Sequence, residues 1–351
     1  MSTAEISHGA SSLADVGRSL TGEARWGRCE IAFWAVALAS VFLLPGRHLI
    51  LAEIAILGLF ALSLDLILGY AGIISLGHAA YFGFGAYAAG LLAIHVVAEP
   101  VTGLVIAGLA AALLGFLTSF LVLRGSDLTR LMVTLGVALM LKEIANQLAW
   151  LTGGADGLQG IVVAPVLGLF SFDITGHVAY VYCLIVLFVL FLGARRLVNS
   201  PFGLSLRAAR NNPLRASSIG IGVNRRLVAI YTIAAGYAGI AGALLTQTTA
   251  FASMDVLSFE RSADLLLVLI VGGTGYLYGG PVGAILFKLM QDWLAGLTPQ
   301  YWQFWVGCLF VLIVLVGRER MIDWIGPVRA ALRPIGAHLA ARLQVARDAR
   351  K

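Results

Sequence analysis

The sequence predicts an all-α integral membrane protein of about ten transmembrane helices, some of them broken by glycine, with both termini cytoplasmic. Three observations carry this. Of 351 residues, 60% are hydrophobic and only 12% are Asp, Glu, Lys or Arg, against roughly 25% charged in soluble domains. Mean hydropathy is +0.91, more apolar surface than a water-soluble fold can hide. The apolar residues fall into ten runs, and the basic residues cluster on alternate sides of them.

The same numbers exclude other classes. Intrinsic disorder needs low hydrophobicity. A disulfide scaffold needs more than the 3 Cys present. A net charge of +6 reports topology here rather than nucleic-acid binding. The three lysines, Lys142, Lys288 and Lys351, never follow a glycine, so there is no Gly-Lys-Ser/Thr phosphate loop. No cofactor or metal site is expected.

Residues 1–28 are polar and read as a short cytoplasmic tail. The first apolar run starts too late for a signal peptide, and no small-residue cleavage site follows it. Apolar runs then follow at 31–45, 49–69, 79–98, 101–122, 131–152, 177–197, 227–249, 263–277, 281–297 and 302–317. They lack a two-residue alternation and exceed the length of barrel strands, which leaves helices. The transmembrane domain is thus 29–317, and 318–351 is a basic cytoplasmic tail, either amphipathic on the membrane surface or solvated.

Orientation comes from the arginines. With the N-terminus inside, twenty basic residues lie on the cytoplasmic side and only Arg47 and Arg261 outside, a strong positive-inside pattern. Seven of the twenty, Arg195, Arg196, Arg207, Arg210, Arg215, Arg225 and Arg226, lie around one inside loop, 198–226. The outer connector at 153–176 is rich in glycine.

The stretch LGYAGIISLGHAAYFGFGAYAAGLL, 68–92, has six glycines with Ser75 and His78 among them. Each Gly inside a helix costs about 1 kcal/mol. Such density serves either tight helix packing, with a hydrogen-bonded His at a helix start, or an unwound segment lining a substrate path. Ala86 and Gly90, Ala235 and Gly239, and Ala238 and Gly242 have small-xxx-small spacing. GYAGI occurs at 69–73 and 236–240, but at different membrane depths, so it does not argue for an internal repeat.

Charges inside spans are costly and often functional. Glu53 and Asp65 lie towards opposite ends of the second run, and Lys142 and Glu143 near the middle of the fifth. Glu143 can reach Asn146 or Gln147 on its own face. It reads either as a polar element along a path or as part of a structural ion pair.

At this point the residues resemble a family. The 68–92 stretch, LTGGADGLQGI at 151–161, the run from Phe202 to Leu245, and LLLVLIVGGTGYLYGGPVGAIL at 265–286 are together similar to the ordered motifs of LivM-type permeases of branched-chain amino acid ABC importers. The resemblance covers roughly 48–317. It implies one transmembrane half of a heteromeric importer in the bacterial inner membrane, for branched-chain or other hydrophobic amino acids. The implied partners are a LivH-like second permease, two cytoplasmic ATP-binding subunits, a periplasmic solute-binding protein and membrane lipid, with no nucleic acid. It implies a coupling helix over 205–218 that presents Arg207, Arg210, Asn211 and Arg215 to the ATPase and stops at Gly220. Family loops carry acids where this chain has Asn211, Pro213 and Ser217, and Pro213 argues against one continuous helix. The implied path residues are Ser75, Gly77, His78 and Glu143. Lys142 has no familiar counterpart and is expected to neutralise a neighbouring helix.

Rival readings follow from the residues. Permeases for urea, amides or sugars share this architecture. An ion-coupled secondary transporter needs midplane carboxylates, and only Glu143 offers one. A membrane metalloprotease needs His-Glu-x-x-His, and no His here precedes Glu. Ser75 and His78 lack the third member of a catalytic triad.

Overall fold

A computed structural model describes residues 27–311, apart from 167, 169, 174, 298, 302, 303, 309 and 310. The expected C-terminal tail, nearly all of the N-terminal tail and much of the tenth apolar run lie outside the described residues. The chain divides into two compact units, 1–288 and 289–351.

Among the described residues the chain is helical, with two isolated bridges, Leu158 to Ala252 and Val166 to Phe170. The helices are α1 (Arg28–Leu43), α2 (His48–Leu68), α3 (Ala79–His95), α4 (Pro100–Val122), α5 (Asp127–Gln147), α6 (Ala149–Thr152), α7 (His177–Val198), α8 (Pro201–Asn211), α9 (Pro213–Ser218), α10 (Val223–Thr249), α11 (Phe259–Gly272) and α12 (Gly279–Leu297). Four of them, α2, α4, α7 and α10, are long and apolar enough to cross a membrane, and α1 and α3 are shorter apolar helices.

The other expected runs differ for local reasons. The fifth divides at Leu148 into α5, which starts earlier at Asp127 and carries Asp127, Arg130, Lys142 and Glu143, and the four-residue α6. The eighth starts earlier than its apolar stretch, because Ser258 caps α11 by accepting from the Arg261 amide. It ends before Gly273, whose φ of +98° no other residue adopts easily.

In the first unit α10 is the hub, packing against α2, α3 and α4. Its closest contacts bring backbone to backbone. A Cβ on Gly242 would fall on the Phe82 carbonyl oxygen, and one on Gly85 would fall on the Gly239 backbone. The small residues at four-residue spacing therefore mark the α3–α10 and α4–α10 contacts. Ala89, Ala107 and Ala243 fill the space between. The opposite surface is apolar and exposed: Leu109, Leu113, Leu117 and Leu121 form a stripe along α4, the face expected against lipid chains. In the second unit Trp293, Leu297, Tyr301, Phe304 and Trp305 are exposed.

Gly242→Val forces the α3–α10 contact apart, and overpacking of this kind costs about 1–3 kcal/mol. The expected result is a lower midpoint of thermal unfolding in detergent. An unchanged midpoint would contradict the close approach.

Candidate functional site

The helical ladder stops after α2. The Ile73 amide turns back to the Ile67 carbonyl at 2.9 Å, which leaves the Gly69 carbonyl without its intrahelical donor. Gly72 takes a φ of +73°, and the chain runs irregularly to His78, the first residue before α3. In an apolar medium each freed backbone group needs a partner. The partners are hydroxyls from distant helices. Thr134 of α5 accepts from the Leu76 amide at 3.3 Å, and Ser262 of α11 accepts from the Ala79 amide at 3.0 Å.

His78 is 1% exposed. It stacks on Phe60, with ring centroids 5.8 Å apart. The Ser63 hydrogen is committed to the Phe60 carbonyl at 2.6 Å. The His78 Nε2 must therefore donate to the Ser63 oxygen, 2.9 Å away. Next to it the Tyr81 hydroxyl bonds Thr118 at 2.7 Å and Tyr231 at 3.0 Å. Ser75 is fully buried, and Gly77 lies so close to the Thr134 carbonyl that a side chain there would collide with it. Thus Ser75, Gly77 and His78 sit together, packed within this chain.

Glu143 lies elsewhere. It is exposed on α5, nine residues or about 13 Å beyond Thr134 at 1.5 Å per residue. Its carboxylate accepts from the Gln147 amide at 2.7 Å, one of the two partners the spacing offers. Lys142 acts on Glu260 at the start of α11. The Glu260 carboxyl is held below its ordinary range by its own helix-start amide and the Ser258 hydroxyl, with the Lys142 charge adding to both. Thr246 and Gln247, near the C-terminal end of α10, are buried. Gln247 accepts from Tyr182 at 3.2 Å and donates to the Pro100 carbonyl at 2.8 Å.

The basic loop is two helices, not the single one expected over 205–218. Pro213 cannot donate to a continuing ladder. Asn212 takes an extended conformation, and its side chain accepts from the Arg215 amide at 2.9 Å, capping α9. The first helix also starts earlier, with Pro201 in its first turn. Gly220, φ +86°, closes the pair.

The loop arginines differ in what they touch rather than in exposure alone. Leu206 and Ala209 are buried, Arg207 is half-buried, and Arg210 is exposed like Arg215 yet reaches back to the chain's own backbone. Arg210 donates to the orphaned Gly69 carbonyl. The Arg207 guanidinium lies 5.4 Å over the Tyr70 ring. Arg226 covers Phe202 at 5.2 Å. Asn211, Arg215, Gly220 and Arg225 are exposed.

Beside this joint is a cavity of about 620 Å³. Tyr70, Arg195, Arg207, Arg210, Gly275 and Tyr276 are among the residues that line it. Arg195, only 8% exposed, meets Glu30 at 2.5 Å and so ties α7 to α1. Asp65 is fully buried and accepts from the Gly275 amide at 2.7 Å. Composition flagged Asp65 as an intramembrane acid, but its partner lies 210 positions away and no spacing rule reaches it.

The chain is similar in sequence to known transport proteins. Residues 47–315 match the family described as the branched-chain amino acid transport system permease component. The high-affinity branched-chain amino acid transport system permease protein LivM of Escherichia coli is 27% identical over 308 residues, covering 81% of this chain and 72% of the relative. A probable LivM of Methanocaldococcus jannaschii is 25% identical, covering 66% and 76%. The galactose/methyl galactoside import permease protein MglC of Haemophilus influenzae is 32% identical over 124 residues, 33% of this chain and 36% of the relative. No solved structure matches the chain.

Ser63→Ala removes the acceptor of the buried His78 imidazole. Leaving such a donor unpaired costs about 1–3 kcal/mol. The expected result is a matching loss of stability in detergent, while Ser63→Thr, which keeps the hydroxyl, loses less. Equal losses for both would show that packing, not the hydrogen bond, holds the break.

Proposed function

Because the chain belongs to the permease family of branched-chain amino acid transport systems, we propose that it forms half of the translocation path for branched-chain or other small hydrophobic amino acids. It is the permease subunit of an ABC importer and a multi-pass membrane protein. It pairs with a LivH-like second permease. Two cytoplasmic ATP-binding subunits drive it, and a periplasmic solute-binding protein delivers the substrate in the bacterial inner membrane. Hydrolysis belongs to the ATP-binding chains, and this chain is a transport subunit without that chemistry. The observation that carries the reading is the family match over 47–315, which spans the glycine-rich break and the basic helix pair.

The residue roles follow the geometry. The exposed Asn211, Arg215, Gly220 and Arg225 form the face offered to the ATPase. Arginine suits this role because its planar fork pairs bidentately with carboxylates. Arg207 and Arg210 connect that face to the spans. Glu143 and Gln147 are exposed and hydrogen-bonded to each other on α5; an exposed polar pair on a membrane helix supports a position facing the path and the second permease rather than lipid. Ser75, Gly77 and His78 back that path. Ten crossings put both termini in the cytoplasm, with tails at 1–28 and 318–351 flanking the domain at 29–317 and its loop at 198–226. The shared stretch with a galactose/methyl galactoside permease supports a sugar as the alternative cargo.

Expressed with its companion subunits, the chain is expected to co-purify with the ATP-binding subunits and to take up leucine, not galactose, at the expense of ATP. Arg215→Glu with Arg225→Glu should weaken ATPase association and leave membrane insertion intact. Uptake driven by an ion gradient, with no ATP-binding subunit bound, would overturn the importer reading.

A further inference from the structure

Three segments far apart in sequence meet at the C-terminal end of α2. Arg210 of α8 donates to the Gly69 carbonyl, and Arg207 covers Tyr70. From the other side, Asp65 accepts from the amide of Gly275 in the turn between α11 and α12. There is no slack between them. A side chain on Gly69 would collide with both Asp65 and the Gly275 amide, and Gly72 lies against the Arg210 stem.

A fully buried carboxylate in a span is costly, and such groups mark function by default. Here the carboxyl group is directed at the backbone amide of a glycine turn. Gly273 and Gly275 hold that turn at φ +98° and +81°. Arg210, which holds the neighbouring Gly69 carbonyl, sits on the helix next to the exposed docking face. A displacement of α8 therefore moves the Gly69 carbonyl, the first free group of the break. Through Asp65 it moves the α11–α12 turn in the same step.

We propose that Asp65 and Arg210 are positioning residues that transmit movement of the coupling helices to both the glycine-rich break and the α11–α12 turn. The inference rests on the importer reading above and adds to it the atoms that carry the motion.

The test uses the complete importer in proteoliposomes, with leucine uptake and ATP hydrolysis measured in the same preparation. Asp65→Ala and Arg210→Met are each expected to lower leucine taken up per ATP hydrolysed about fivefold or more, the lower end of coupling between distant sites. Asp65→Asn keeps an acceptor for the Gly275 amide and should lose less than Asp65→Ala. Because both residues belong to one joint, Asp65→Ala with Arg210→Met should be no worse than the worse single variant. Arg210 is itself exposed, so its replacement leaves the packed core intact. If Asp65→Ala fails to assemble, the comparison of Arg210→Met with Arg210→Lys decides, since Lys still donates to the Gly69 carbonyl and should restore the ratio.

The proposal is overturned if uptake and hydrolysis fall in proportion, if the ratio stays at the wild-type value, or if the two losses multiply. A native complex without ATP-driven uptake overturns the importer reading and takes the joint with it. A native complex that transports normally, beside variants of unchanged ratio, overturns the joint alone.

Discussion

Backbone groups released inside an apolar medium must be bonded within the protein, because no water is there to take them. The rest of the architecture depends on how that rule is met between Gly69 and His78. A continuous helix would satisfy every amide by itself and would need no neighbours. Breaking it frees a carbonyl at Gly69 and amides at Leu76 and Ala79, and each recruits a side chain from a different helix. The break thus fixes where α5, α8 and α11 lie. Thr134 and Ser262 are small hydroxyls in otherwise apolar surroundings, and their positions make sense only as partners of the break.

Charge obeys the same economy. Those charges that enter the bundle mostly meet a partner: Arg195 with Glu30 at 2.5 Å and Lys288 with Glu53 at 2.6 Å. Each pair joins helices distant in sequence, so the few ions present also act as ties between elements. Arg215 on α9 and Arg225 at the start of α10 stay exposed, where water and another protein can reach them. The apolar stripe on α4 completes the division of surfaces into one for lipid and one for proteins.

Much of this was legible in the residues. Long apolar runs have one solution in a membrane, so the helices appear within a few positions of where hydropathy puts them. Pro213 announced the interruption of the basic loop, and Asn212 before it is a residue type suited to capping. The partners across the fold were not legible. Sequence shows that the Gly69–His78 stretch cannot bond itself but not that Arg210 or Thr134 answers it, since 141 and 58 positions intervene. The arginines of the loop look equivalent in order, and only the fold shows that Arg207 covers Tyr70 and Arg210 bonds the Gly69 carbonyl while Arg215 stays exposed. GYAGI shows the limit most directly. At 69–73 it is the break and at 236–240 it is mid-helix in α10, so neighbouring helices, not the five residues, decide its conformation.

The contact of α3 with α10 has a consequence for how such a protein diversifies. Where Gly85 and Gly242 bring main chain against main chain, no side chain remains to be exchanged, and almost any substitution is a collision. That wedge is closed to gradual change. Relatives that differ in sequence can keep it only by placing their differences on surfaces with room to vary, such as the exposed side of α5. The same glycines that hold the bundle together therefore confine the history of its variation to its edges.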